Sequence, residues 1–189
     1  MRIILGSGSP RRKELLTAMG IDFEVKVADT DERYPEELEV EKVPVFIADQ
    51  KAIAIRSMHQ IERETLLCAD TIVVVDGKIL GKPTDKNEAI QMLELLSGKM
   101  HEVLTGVVIY HEAKRHEICE RTLVQFKKIT LDEMNYYVDN YRPYDKAGSY
   151  GIQEWIGLIA IERIEGSYTN VIGLPTDKVW NLFNSLKIN

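Results

Sequence analysis

The chain has 189 residues, 44% hydrophobic and 29% charged, which is enough apolar side chain to bury a sizeable core and excludes the composition of a disordered chain. Its 24 Lys and Arg against 30 Asp and Glu leave a formal net charge of −6; this excludes a general nucleic-acid surface and requires any polyanion to be met by a local cluster of cations. No run approaches the about 18 apolar residues of a membrane span, and the short apolar run Met1–Leu5 carries no small-residue cleavage signal, so a cytoplasmic protein without membrane contact is expected.

Arg2–Leu5 is predicted to be a strand that runs into Gly6-Ser7-Gly8-Ser9-Pro10. Leu15, Leu16 and Met19 then give the apolar face of a helix that starts at Ser9 and Pro10 and stops at Gly20. Phe23–Val27 is a short strand, and Asp29–Glu39 an acidic loop carrying Asp31 and Glu32. A second helix covers Val43 to about His59 and carries Lys51. Leu66–Val75 is a continuous β-branched run, the pattern of a strand buried on both faces, and Asp76-Gly77 turns it back as a hairpin toward Ile79 and Leu80.

Thr84 or Asp85 caps a third helix that continues through Leu96 and stops at Ser97-Gly98. Val103–Tyr110 and the segment from Ile118 to Phe126 are strands, and Thr130 with Glu133 makes a capping box for a helix to about Tyr141. Asp145–Gln153 is a glycine-containing loop, Leu158–Ile164 a strand and Leu174–Leu186 a closing helix. Tyr136, Tyr137, Tyr141, Tyr144, Trp155 and Trp180 are assigned to packing, and Cys68 and Cys119 to buried thiols. The four histidines have no zinc-ligand spacing. Without a repeat or linker, the pattern is one α/β or α+β domain over 1–189.

Chemistry enters at Arg11, Arg12 and Lys13. Three cations in a first helical turn oppose the helix dipole, at a cost of about 0.3–1 kcal/mol each. Together with Ser7 and the free N–H groups of a helix start they suit a triphosphate, the alternative being a solvated basic turn. The segment lacks GxxxxGK[ST] and the third glycine of GxGxxG, which disfavours P-loop kinases and dinucleotide-binding dehydrogenases. Asp70 sits in an apolar strand, where a charged carboxylate needs a cation, a metal or several donors; with Glu32 it offers the hard oxygen ligands of a magnesium site. Pro83 pushes Lys82 into an extended conformation, and Gln153 closes the glycine loop as a possible base reader.

Ser7 to Arg12, Asp31-Glu32, Gln50-Lys51-Ala52, Ala69 to Val73, Gly81-Lys82-Pro83, Thr105-Gly106-Val107, Asp145–Gln153 and Gly166–Pro175 occur in one order along nearly the whole chain. In this ordered set the chain resembles the Maf nucleotide pyrophosphatases. The resemblance implies a mixed α/β fold like that of inosine triphosphatase, with a central mixed sheet flanked by helices, a substrate cleft and often a homodimer. It also implies a house-cleaning enzyme that hydrolyses a nucleoside triphosphate to the monophosphate and pyrophosphate with Mg²⁺ or Mn²⁺. Asp70 and Lys82 would be catalytic, Ser7, Arg11, Arg12, Lys13 and Lys51 would hold the substrate, and Glu32 and Asp70 the metal. Arg11, Thr71 and Gln153 match the subgroup that acts on dTTP and UTP, and Thr71 and Gln153 would read the pyrimidine. Gly6 stands where the family usually has Ala. Two other functions remain consistent with the family: a nucleotide-binding regulator of septation without turnover, and a purine-specific pyrophosphatase.

Overall fold

A computed structural model describes residues 3–188; Arg2, at the start of the first predicted strand, lies outside the described residues. The chain divides into two compact units, one made of 1–70, 105–120 and 173–189, the other of 71–104 and 121–172. β1 (Ile3–Leu5), β2 (Phe23–Val25), β3 (Thr65–Val75), β4 (Lys78–Leu80), β5 (Met100–His111), β6 (Lys114–Phe126) and β7 (Ile161–Glu165) belong to a seven-stranded sheet of order β2-β1-β3-β5-β6-β7, with β4 paired to β3.

The first unit contains β1 (Ile3–Leu5), α1 (Pro10–Ala18), β2 (Phe23–Val25), α2 (Val43–His59) and α7 (Thr176–Leu186), with the first part of β3 (Thr65–Val75). β1 lies parallel to both β2 and β3, Ile4 facing Glu24 on one side and Leu66 on the other. Strand parity sorts its apolar residues into two layers. Ile3, Leu5, Leu67, Ala69, Val107 and Ile109 pack with Leu16 of α1 and with Val179 and Phe183 of α7. Ile4, Leu66, Cys68 and Val108 pack with Ala48, Ala52 and Ile55 of α2. Helices on both faces explain why β3 reads as an unbroken apolar run rather than an alternating one. α1 ends in a Schellman motif at Gly20, whose φ is 72°, with Gly20 N–H donating to Thr17 O and Ile21 N–H to Leu16 O.

In this unit Gly6 has a local partner for its missing methyl: a Cβ placed there would lie 2.2 Å from Cys68 Sγ. Cys68 thus fills the space that a methyl at residue 6 would need, and burial pushes its thiol up to about 12, leaving an inert packing group. Cys119 corrects the expectation of a second buried thiol. It is exposed on the outward-facing register of β6 (Lys114–Phe126), its Sγ donating to Glu41 O.

The second unit holds β4 (Lys78–Leu80), α3 (Lys86–Leu96), α4 (Leu131–Tyr141), α5 (Trp155–Ala160), β7 (Ile161–Glu165) and α6 (Tyr168–Ile172), with the last residues of β3 and parts of β5 (Met100–His111) and β6. β3 turns into β4 through Asp76 and Gly77, with φ of 49° and 74°, the two-residue turn expected from that dipeptide. Asp85, rather than Thr84, caps α3 by accepting from Glu88 N–H, while Thr84 binds the Glu88 carboxylate. The Thr130–Glu133 capping box of α4 is complete. Val73, Val75, Val124 and Phe126 form the sheet side of a core closed by Leu93 and Leu96 of α3, Tyr137 and Val138 of α4, and Ile156 and Ala160 of α5.

Two predicted elements need correction. Leu158–Ile164 is not one strand: α5 occupies Trp155–Ala160 and β7 begins at Ile161. Ile156 and Ala160, four residues apart, bury the same helical side, and β-branched residues on the far side of Ala160 carried the strand signal too far back. The closing helix begins at Thr176 rather than Leu174, since Pro175 keeps Leu174 out of helical geometry, and α6 precedes it.

The second core also contains a buried histidine. His101 is 1% exposed, its Nε2 lies 2.8 Å from Tyr150 Oη, and its ring meets Phe126 edge-on. Burial holds its imidazole down to about 4, below the 6.5 of a free histidine. The unfolded chain therefore takes up this proton first as pH falls, so the neutral ring contributes stability above pH 6.5 that is lost between pH 6.5 and 4. The loss is on the order of 3 kcal/mol by linkage. Urea unfolding across that window is expected to show this slope, and His101→Gln to remove it while also lowering stability at neutral pH.

Candidate active site

The first unit gathers seven of the sequence-predicted site residues: Ser7, Arg11, Arg12, Lys13, Glu32, Lys51 and Asp70. Parity on β3 explains the placement of Asp70. Leu66, Cys68 and Asp70 project to the same side, and the first two face α2. On α2, Lys51 lies between buried Ala48, Ala52 and Ile55, so helical spacing turns its ammonium toward the same layer. There Lys51 Nζ lies 2.6 Å from Asp70 Oδ1 and 2.8 Å from Glu32 Oε1. The Lys51 and Asp70 side chains are 15% and 11% exposed and that of Glu32 43%, so a desolvated pair is joined by a carboxylate at the solvent edge.

Beside this group, the turn after β1 folds back on itself. Ser7 Oγ accepts from Ser9 N–H at 3.2 Å and from Arg12 Nη1 at 3.1 Å. Arg12 Nε donates to Gly173 O at 2.8 Å, which fixes the guanidinium from the opposite end of the chain. Burial lowers the Arg12 pKa from its ordinary value, the Asp70 charge draws it back up, and the Arg11 charge pushes it down. Ser9 occupies the N-cap of α1 without a side-chain cap bond; Ser7 instead supplies the hydroxyl that satisfies a free N–H. Arg11 and Lys13 are half-buried in the same first turn.

Two carboxylates converging on one ammonium are donors of the right chemistry for a hard divalent cation, which commonly takes one or two carboxylates with substrate phosphates and water. Glu32 and Asp70 thus fit such an ion. Among the described residues no cluster of three or more His, Cys, Asp or Glu is arranged for a metal.

The second unit carries Thr71, Lys82 and Gln153. Lys82 is exposed between Gly81 and buried Pro83. Gly148 N–H donates to Gly81 O at 3.0 Å, tying the Lys82 loop to the loop that ends at Gln153. Gly148 has φ 68°, and a Cβ there would meet both Val73 methyls at 2.9 Å, so this loop needs glycine for its backbone and for its packing on β3. Gln153 is exposed, next to buried Ile152.

Three residues in this unit were not singled out by the sequence. Lys146 is 8% exposed, with its Nζ 2.8 Å from Asp145 Oδ1 and 3.1 Å from Glu154 Oε1. The Tyr137 hydroxyl donates to Glu154 Oε2 and accepts from Gly151 N–H at 3.0 Å. Burial first, and then the bond to Glu154, push the Tyr137 phenol above its ordinary range, so it stays protonated. Lys146 next to Asp145 in a glycine-containing loop was the available signal, because a buried lysine needs a carboxylate nearby. The role of Tyr137 depends on a partner 17 residues away and had no local signal.

Among the described residues no helix is long and apolar enough to cross a membrane. A family model described as Maf-like protein matches residues 2–186. The chain is 54% identical over 188 residues to a dTTP/UTP pyrophosphatase of Porphyromonas gingivalis, covering 98% of this chain and 93% of that one. It is 50% identical over 186 residues to a dTTP/UTP pyrophosphatase of Bacteroides fragilis, covering 98% and 96%. It is 46% identical over 179 residues to one of Flavobacterium psychrophilum, covering 95% and 91%. Among solved structures its fold is similar to that of a HAM1 protein from Coxiella burnetii, with a TM-score of 0.55, 14% identity and complete coverage of both chains. Since the family model spans nearly the whole chain and relatives of this similarity cover it to the same extent, the chain belongs to the Maf family.

Proposed function

We infer that this chain is a nucleoside triphosphate pyrophosphatase, a hydrolase that converts dTTP and UTP to the monophosphate and pyrophosphate, and we propose modified pyrimidine triphosphates as further substrates. The observation that carries the reading is identity of 46–54% with dTTP/UTP pyrophosphatases over almost the full chain. The buried Lys51–Asp70 pair joined by Glu32 supports it chemically, because a charged cluster of this kind is costly unless it has work to do.

In the proposed reaction a water oxygen bonds to the α-phosphorus, the bond from that phosphorus to the α–β bridging oxygen breaks, and its electron pair leaves with pyrophosphate. Lys51 holds Asp70 Oδ1 at 2.6 Å, and Oδ2 takes the water proton. Arg12 is oriented by Gly173 O and Ser7 Oγ and faces the phosphates together with Arg11 and Lys13, while Lys82 neutralises charge on the leaving group. Glu32 and Asp70 would hold Mg²⁺ or Mn²⁺, which when bound supplies charge neutralisation and alignment of the phosphate oxygens. Thr71 and Gln153 read the pyrimidine edge, where an unpaired hydrogen-bonding group discriminates strongly against the wrong base.

The test is phosphate release from a panel of dTTP, UTP, CTP, GTP, ITP, 7-methyl-GTP and modified uridine triphosphates, with Mg²⁺, in the presence and absence of added inorganic pyrophosphatase. Phosphate that appears only with the helper enzyme, chiefly from dTTP and UTP, is the expected result. Release without the helper would mean β–γ cleavage. Binding without any product would make the chain a nucleotide sensor instead.

A further inference from the structure

The segment that presents Gln153 is a tight turn. Glu154 N–H donates to Gly151 O at 3.0 Å, which places Ile152 and Gln153 at the two central positions. Ile152 is 5% exposed and belongs to the core of its unit, so the turn is pinned on one side and Gln153 projects from the other. One hydroxyl holds both ends of this turn: Tyr137 Oη accepts from the N–H of Gly151 and donates to the carboxylate of Glu154. The second oxygen of that carboxylate pairs with Lys146 Nζ at 3.1 Å. Gly151 is required for this closure, since a Cβ there would lie 2.8 Å from Glu154 Cδ and 3.1 Å from Lys146 Cε.

The arrangement is more than a satisfied buried polar group. Tyr137 comes from α4, a helix fixed by its capping box and by Met134 and Val138 in the core, so its hydroxyl is a rigid reference point. A rigid donor and acceptor that grips residues 151 and 154 sets the position of the two residues between them. We propose that Tyr137, acting with Glu154 and Lys146, is a positioning residue for nucleobase selection, holding the turn from which Gln153 reads the pyrimidine. The proposal rests on the assignment of Gln153 as a base reader.

Tyr137→Phe removes the hydroxyl and keeps the ring. It is expected to lower the ratio of kcat/KM for UTP over GTP by about tenfold, mainly through a higher KM for UTP, with kcat for UTP changing less than about threefold. A merely structural loss would lower the melting temperature and leave the ratio in place. Glu154→Gln keeps the size and an acceptor for Tyr137 but removes the charge facing Lys146. It is expected to shift the ratio in the same direction, and it carries the test if Tyr137→Phe does not fold. In a Gln153→Ala background either substitution should add nothing further to the loss of preference. If Gln153→Ala collapses the preference but Tyr137→Phe and Glu154→Gln do not, base reading stands and the positioning role falls. If Gln153→Ala leaves the preference intact, base reading falls and this role with it. An equal loss with and without Gln153 would show that Tyr137 acts by another route and would overturn the proposal.

Discussion

Asp70→Asn is expected to lower kcat for dTTP and UTP by about 10³- to 10⁴-fold, with KM changed by less than about threefold. The substitution is isosteric, and its amide oxygen still accepts from Lys51, which now lies 2.6 Å from Asp70 Oδ1 and 2.8 Å from Glu32 Oε1. The strand and α2 therefore keep their contact, and circular dichroism and the melting temperature should stay near those of the parent. What the amide cannot do is take a proton from water. The same variant separates the two roles open to this carboxylate. A loss that persists at saturating Mg²⁺ assigns proton transfer to Asp70, whereas a loss that shrinks as Mg²⁺ is raised makes it a ligand. Turnover equal to that of the parent would remove Asp70 from the reaction altogether.

The location of Asp70 was legible because two periodicities meet there. The unbroken apolar run of β3 announced a strand covered on both faces, the 3.6-residue spacing of α2 announced a helix from Val43 to His59, and both elements stand where the pattern put them. A carboxylate in such a strand has to find a cation, a metal or several donors, but the ordered motifs assigned Lys51 to the substrate, and its pairing with Asp70 came only from the structure. Local turn chemistry was equally informative at Asp76-Gly77, at the Thr130 capping box and at Gly20. Reading failed where a long-range partner decided the outcome. Glu112 and Ala113 turn β5 into β6 with φ of 48° and 65°, a conformation that neither residue type advertises. α5 is six residues long and adjoins a strand, so propensity could not divide Ile156 to Ile164. Cys119 looked buried from its apolar neighbours, but the outward register of β6 exposes it. The grips on Arg12 by Gly173 and on Glu154 by Tyr137 join residues 161 and 17 positions apart, and nothing local to either end encodes them.

Gly106 shows how one of the ordered motifs translates into geometry, and its replacement should be the most damaging single-methyl change in the first unit. A Cβ built on Gly106 would stand 2.2 Å from Val45 N, 2.3 Å from Pro44 C and 2.6 Å from Pro44 O. All three are backbone atoms of the first turn of α2, so no side-chain rotation relieves the clash, and the helix must move off the strand. A glycine inside a strand marks such an approach. Gly106→Ala is expected to cost about 3 kcal/mol or more, lowering the melting temperature by roughly 6–12 °C. Gly20→Ala gives the contrast: its Cβ meets nothing within 4 Å, and only the φ of 72° resists it, at about 1 kcal/mol. The two variants should differ in activity as well as in stability. Lys51 lies six residues along α2 from Val45, and a shift of α2 displaces its ammonium from Asp70 and Glu32. A displacement of about 1 Å at such a group can cost about 10²-fold in rate. Measured well below both melting points, Gly106→Ala should therefore have reduced kcat while Gly20→Ala keeps that of the parent. Equal stability in the two would mean that β5 and α2 are not in backbone contact; a destabilised Gly106→Ala with full kcat would mean that the position of Lys51 does not depend on that contact.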